Sequence, residues 1–236
     1  MLPFEQGPAT DAKGYDSYTQ QRMTFSSEFT AQLQTVARQL QITLNTLLQG
    51  AWALLLSHYS GNRDVLYGTT VAGRPTHLPG SDHMVGLFIN TLPMRVCVPP
   101  AAYLADWLKM LQAQQAIIQQ YDYCSLVQMQ GWSDIPRNFP LFKSLFVFEN
   151  YPTRAVGLST RTQGQLSAER LSSTGQTNYP LTIVVEPATT LSLQVIYACD
   201  HFSSEAIERL LGHLLTILTG FVDQPHRPLG DMAYLT

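Results

Sequence analysis

The sequence predicts an α/β domain in which a mixed sheet packs against helices. Three observations carry that prediction. Apolar residues recur at helical spacing in four stretches, short β-rich runs fall between them, and Gly- and Pro-rich segments punctuate the two. The length of 236 residues accommodates one large domain or two small ones.

The elements follow in order. Residues 1–22 carry Pro3, Gly7, Pro8 and Gly14 among polar residues without an apolar period, and read as a linker; the folded region is expected over 23–236. Ser26, Ser27 and Glu28 open a first helix, with Phe29, Leu33, Val36, Ala37 and Leu40 along one stripe. Thr43 opens a second, apolar on nearly all sides through Leu47, Leu48, Ala51, Trp52 and Leu55, hence buried, with Gly61 placed for a left-handed cap. Residues 64–71 read as a strand, 72–84 as a Gly/Pro-rich loop, and 85–98 as β again. A third helix is expected over 103–123, irregular chain over 124–140, and a short apolar strand at 144–148. Residues 153–176 are rich in Thr, Ser, Gln and Gly and read as a mobile excursion; structureless loops of that length are functional or disordered. A hairpin (182–186 with 191–199) and a last helix capped by Ser203 complete the chain.

Composition excludes several classes of function. Charged residues make up 13%, about half the usual ~25%, and Gln, Ser and Thr fill their place. So little charge points to a face hidden against another surface. A net charge of −3 gives no attraction to nucleic acid or anionic membrane. Cys97, Cys124 and Cys199 are far apart and form no CxxC pair, so neither a zinc site nor a disulfide framework is expected. Without a signal-like start or a long apolar run, the chain is expected to be reduced and cytoplasmic.

Tests for chemistry come back mostly empty. The stretch from Gly68 to Pro75, GTTVAGRP, has the glycine spacing of a phosphate-binding loop, but Arg74 and Pro75 stand where Lys and Ser or Thr are needed. Arg74 reads instead as tying down the loop. The six histidines make no HExxH or i, i+4 pair, so no metal site is expected, and His213 reads as a surface residue. His77 and His83 flank the loop without a partner constellation. No GxSxG elbow is present, and no catalytic residue is assigned. The unusual segment is HMVGLFINTLPMRV, residues 83–96. Gly86 within an apolar run predicts close backbone approach or a bulge. Asn90 and Thr91 admit two readings: a polar kink with an Asx-type turn, or a polar patch lining a channel, where amide and hydroxyl groups bond a substrate's peptide groups.

Within that segment, VGLFINTLPMRV resembles the (I/V)GxFxNTLPxR motif of nonribosomal peptide synthetase condensation domains. Other stretches fall in that family's order: the helix from Ile42 to Gly61, the GTxVxGRP turn at Gly68 to Pro75, RNFPLFKSLFVFENY at 137–151, TNYPLTIVV at 177–185, and Asp200 and Phe202 before the closing helix. The resemblance covers roughly residues 20–236. It implies a single lobe like those of chloramphenicol acetyltransferase, two of which face each other across a tunnel in that family. The partner lobe of such a domain carries HHxxxDG; no such stretch occurs in this sequence. The chain is therefore expected to be a C-terminal lobe, preceded by its inter-lobe linker and inactive alone.

The resemblance further implies phosphopantetheine arms brought by donor and acceptor carrier proteins, no directly bound cofactor, and an adjacent adenylation domain. On its pattern Gly73, Arg74, Gly86, Phe88, Asn90, Thr91 and Arg95 belong to the tunnel floor, Asn178 and Pro180 to the tunnel or a latch, and 153–176 to a latch crossing to the partner lobe. Two alternatives stand beside it. One is the lobe of an epimerisation or heterocyclisation domain; Phe88 to Arg95 argues against epimerisation. The other is a non-catalytic module that binds an acidic carrier protein, which needs a basic patch that the scattered Arg and Lys residues do not form.

Overall fold

Residues 18–73, 79–149 and 177–233 are described by a computed structural model. Within them, helix starts follow the polar side chain that caps them. The Ser26 hydroxyl accepts from the Phe29 N–H at 3.1 Å and opens α1 (Ser27–Gln39). Thr43 does the same for Thr46 at 3.0 Å, opening α2 (Leu44–Ser60), and Gly61 ends α2 in the left-handed conformation at φ 68°. Every residue of α2 from Thr46 to Leu56 is buried, as its all-round apolar sequence requires. Helix α3 (Leu104–Gln119) and α5 (Ser204–Asp223) show the expected stripes; Leu104, Trp107, Leu108 and Leu111 are buried on the first, and Ile207, Leu211, Leu214 and Leu218 on the second.

The strands are β1 (Tyr18–Thr24), β2 (Asp64–Val71), β3 (Asn90–Cys97), β4 (Ser144–Phe148), β5 (Leu181–Glu186) and β6 (Ser192–Ala198). They form one sheet in the order β1-β6-β5-β4-β2-β3. β2, β4 and β5 run parallel, while β3, β6 and β1 are antiparallel to their neighbours. The mixed α/β architecture predicted from the sequence is the one observed. Helices and sheet share one apolar core, centred on Trp52, Tyr67, Phe146, Ile183, Val195 and Phe221.

Four expectations are corrected. The linker ends earlier than residue 22, because Tyr18–Thr24 pairs along its whole length with β6; its polar sequence suits a sheet edge, where alternate side chains meet water. The third helix stops at Gln119, and a short helix, α4 (Leu126–Trp132), occupies part of the stretch expected to be irregular. Residues 85–89 are not strand: Val85 and Leu87 stand in solvent. Gly86 shows no close backbone approach, since a β-carbon there would meet only the Phe88 ring edge at 3.6 Å.

The outer edge of β3 is partly covered by side chains. Trp107 Nε1 donates to the Cys97 carbonyl (2.8 Å) and Gln114 Nε2 to the Arg95 carbonyl (2.6 Å). Pro93, two residues further along the same side by the two-residue period, has no N–H to offer. An added strand would find two of the edge's acceptors already engaged and one donor missing. Residues 1–17, Arg74 and the expected latch at 153–176 lie outside the described residues.

Candidate functional site

The parallel strands β2, β4 and β5 end at Val71, Phe148 and Glu186, on one side of the sheet. In open α/β sheets, ligands sit beyond the carboxyl ends of such strands. An open groove of about 1120 Å³ lies there, lined by Val71, Gly73, Phe148 and Pro187 and walled by the start of α2 and the last turns of α3. Two other pockets among the described residues are about 250 and 200 Å³.

The wall is built from amides and hydroxyls. The Thr43 backbone N–H donates to Gln112 Oε1 at 2.7 Å, and Gln112 Nε2 donates to the Gln41 carbonyl at 3.1 Å. The Thr46 hydroxyl donates to Gln115 Oε1 at 2.7 Å. One turn further along α2, buried Gln49 donates to Asn45 Oδ1 (3.0 Å) and Thr69 Oγ1 (3.2 Å) and accepts from the Tyr67 hydroxyl (3.1 Å). Complete burial holds the Tyr67 phenol protonated, well above its ordinary range, so it serves here as a donor. These bonds fix α2 to β2 on one side and to α3 on the other, so the groove wall is set before any ligand arrives.

The Gly/Pro-rich loop begins and ends at one point. Gly73 has φ 62°, and a β-carbon on it would lie 1.8 Å from the Phe88 carbonyl oxygen, so only glycine lets the two backbones meet. Asn90 then acts as a clamp. Its Nδ2 donates to the carbonyls of Asp122 and Cys124, both at 2.7 Å, and its Oδ1 accepts from the Thr91 N–H at 2.8 Å. Both amide hydrogens are thus spent on the backbone that joins α3 to α4, and the local contact is the one from the Thr91 N–H to Oδ1. Thr91 pairs with Thr70, which lines the groove.

The predicted site residues thus divide. Gly73, Phe88, Asn90 and Thr91 gather at the groove end of the sheet, with exposed Gly86 just outside it. Arg95 lies five residues along β3, roughly 16 Å away, where its guanidinium forks onto Asp64 at 2.6 and 3.0 Å. That contact holds the Asp64 carboxyl below its usual range. Asn178 and Pro180 precede β5, at the end opposite the groove, where Tyr179 stacks on Phe142. His213, read as a surface residue, is half-buried, and its Nδ1 meets the Tyr59 hydroxyl at 2.6 Å. The amides of α3 were missed by sequence reasoning, although Gln112, Gln115 and Gln119 recur at the i, i+3, i+7 spacing of a single helix face.

An apolar surface adjoins this end. Val85 is 104% and Leu87 90% exposed, and Ile89 beside them is also open to solvent. The Asn90 clamp joins them to a second exposed group, Tyr121, Tyr123 and Val127. Helix α4 buries none of its residues.

Comparison with known proteins decides the family. The condensation-domain family profile matches residues 4–236. The chain belongs to the condensation-domain family. It is 42% identical to one of the linear gramicidin synthase proteins of Brevibacillus parabrevis over 99% of its length, covering 3% of that protein. It is 39% identical to chondramide synthase of Chondromyces crocatus, over 94% of this chain and 6% of that one. The chain therefore spans a small fraction of the curated relatives it matches. In fold it resembles the first condensation domain of the calcium-dependent antibiotic synthetase, solved with a substrate analogue, at TM-score 0.80 and 18% identity; all of this chain aligns with 50% of that one. The mixed sheet of this condensation-family chain is thus the fold that the sequence resemblance implied. No helix among its described residues is long and apolar enough to cross a membrane.

Proposed function

We propose that this chain is one lobe of a condensation domain that forms peptide bonds between carrier-bound thioesters in a nonribosomal peptide synthetase. The observation that carries this reading is the apolar surface running from Val85, Leu87 and Ile89 to Tyr121, Tyr123 and Val127. Exposed apolar patches of this kind mark surfaces built to meet another. The low charge of the chain and its match to half of a solved condensation domain support the same reading.

In this reading a second lobe docks on that surface, and the groove end of the sheet becomes one side of a tunnel. Phosphopantetheine arms from donor and acceptor carrier proteins enter it. The acceptor's α-amine bonds to the donor's thioester carbonyl carbon, the C–S bond breaks, the amine gives up a proton, and the donor thiol is released. This lobe contributes placement: a wall fixed by hydrogen bonds and a loop pinned at Gly73 and Phe88, which hold amine and carbonyl in attack geometry. On the family pattern, residues 153–176 serve as the latch and Arg74 belongs to the floor.

Placement without the partner's HHxxxDG gives no turnover. With two loaded carrier proteins, the isolated chain is expected to yield no condensed product and the two-lobe domain to yield it. Product from the isolated chain overturns the proposal. In the two-lobe domain, Leu87→Asp is expected to separate the lobes and abolish product; unchanged turnover counts against the docking surface.

A further inference from the structure

We infer that the groove beyond β2, β4 and β5 is a subsite for an uncharged, extended peptidyl chain, with Gln115 as a hydrogen-bond donor to one of that chain's carbonyls. The inference rests on the condensation reading and narrows it to a class of substrate.

Three observations carry it. The first is the charge of the lining. Among the described residues Asp122 is the one charged side chain there; the rest of the polar lining is amide or hydroxyl, including Gln34, Asn45, Thr70, Gln119 and Gln120. This described lining offers donors and acceptors to an amide backbone, and none of its described side chains is a cation for a carboxylate or phosphate. The second is size. A groove of about 1120 Å³ exceeds the roughly 300–1,000 Å³ of a typical small-ligand pocket, which suits several residues of chain better than one amino acid.

The third is a hydrogen bond left unmade. Gln112 uses both ends of its amide within the protein, and Gln115 uses one: its Oε1 holds Thr46, while its Nε2 is shielded from water without a partner. Buried donors are rarely left so, because each loses its bond to water with nothing in return. The torsion about the last side-chain bond of Gln is broad, so a small turn brings this N–H to the groove that Gln115 lines. A peptide carbonyl there completes it.

Gln115→Glu separates this role from a structural one. It keeps an oxygen for Thr46 and replaces the donor with an acceptor. In the two-lobe domain, KM for a donor carrier bearing an uncharged tripeptide is expected to rise about 10-fold. KM for a donor bearing a single amino acid, too short to reach the site, is expected to rise by a clearly smaller factor. Equal changes for both donors, or no change for either, overturn the inference. Gln119→Ala, further out on the same exposed face, is expected to raise the tripeptide KM by a smaller factor.

A second measurement stands apart from catalysis. An N-acetylated, C-amidated tripeptide titrated into the full chain is expected to shift the side-chain amide NMR signals of Gln112, Gln115 and Gln119, and the same peptide with Asp at its centre to shift them less. Shifts confined to other residues, or equal response to both peptides, overturn the subsite even where condensation is observed. Failure of the wild-type domain to condense, with these shifts present, overturns the condensation reading and leaves the peptide site standing.

Discussion

Helices α2 and α4 are both rich in apolar residues, and the protein treats them in opposite ways. From Thr46 to Leu56, α2 is buried on every side, while α4 buries nothing and holds Val127 and Trp132 in solvent. Their starts do not separate them: each begins at a capping Ser or Thr, and α4 even carries a full capping box through Ser125 and Gln128. What differs is the supply of partners within the chain. α2 is surrounded by α1, α3, α5 and β2, whereas α4 touches the rest of the protein through β3 and through Gln130, whose Nε2 donates to the Phe139 carbonyl at 2.8 Å. The contrast teaches that an apolar helix is buried only where the fold supplies neighbours on every side, and that capping alone is enough to form one that is not.

The largest effect that tests this contrast is Trp52→Ala. It removes a fully buried indole from the centre of α2, and a loss of about 3–5 kcal/mol in denaturant unfolding is expected. On α4, Val127→Ala is expected to change the stability of the isolated chain by less than about 0.5 kcal/mol and to lower turnover of the two-lobe domain. A large loss of stability from Val127→Ala in the isolated chain would show that α4 is covered from within.

An intermediate effect is expected at the clamp. Asn90→Ala removes both bonds to the Asp122 and Cys124 carbonyls, a loss of about 2–3 kcal/mol. Hydrogen exchange should quicken over α4 and the preceding turn and remain slow in α2. Quickening in α2 as well would mean that the two helices unfold as one unit.

The smallest effect depends on pH. Burial, with the Arg209 charge beside it, holds the His213 imidazole below its ordinary range, and burial pushes the Tyr59 phenol up to about 12. A depressed histidine binds protons less readily folded than unfolded, so stability is present above its unfolded value of ~6.5 and falls as pH drops through it. His58 is lowered by burial with the same sign. His213→Gln, which keeps a partner for the Tyr59 hydroxyl, should flatten the fall in Tm between about pH 7 and 5.5 by on the order of 1–2 °C. An unchanged slope would place the acid sensitivity elsewhere.

Much of the fold was legible because burial and period agree. The stripes of α1 and α5, the all-round apolar α2 and the hairpin β5–β6 each match one template. The misses have a common cause in partners far away in sequence. Tyr18–Thr24 is polar because it lies at an edge, so its pairing with β6 leaves little trace in its own residues. The run 85–89 is apolar yet irregular, because its apolar residues do not face this chain's core. The site was legible in part. Gly73 and Asn90 stood out as residues with special backbone or side-chain duties, but which carbonyls Asn90 reaches, some thirty residues on, is set by topology. The division of labour among the amides of α3 needed coordinates, since equal spacing does not tell a satisfied Gln112 from a Gln115 with one donor to spare.

The first strand has a bearing on how the protein is made. β1 pairs with β6 alone, and Gln21 meets Tyr197 across 176 residues of chain. At roughly 5–20 residues per second, the partner leaves the ribosome on the order of ten to thirty seconds after β1 does. Throughout that time one border of the sheet stays open, and the apolar hairpin that closes it is the last strand material to arrive. Completion of this sheet is therefore tied to the synthesis of β6, and a ribosome paused before residue 198 holds a chain whose sheet has no means of finishing.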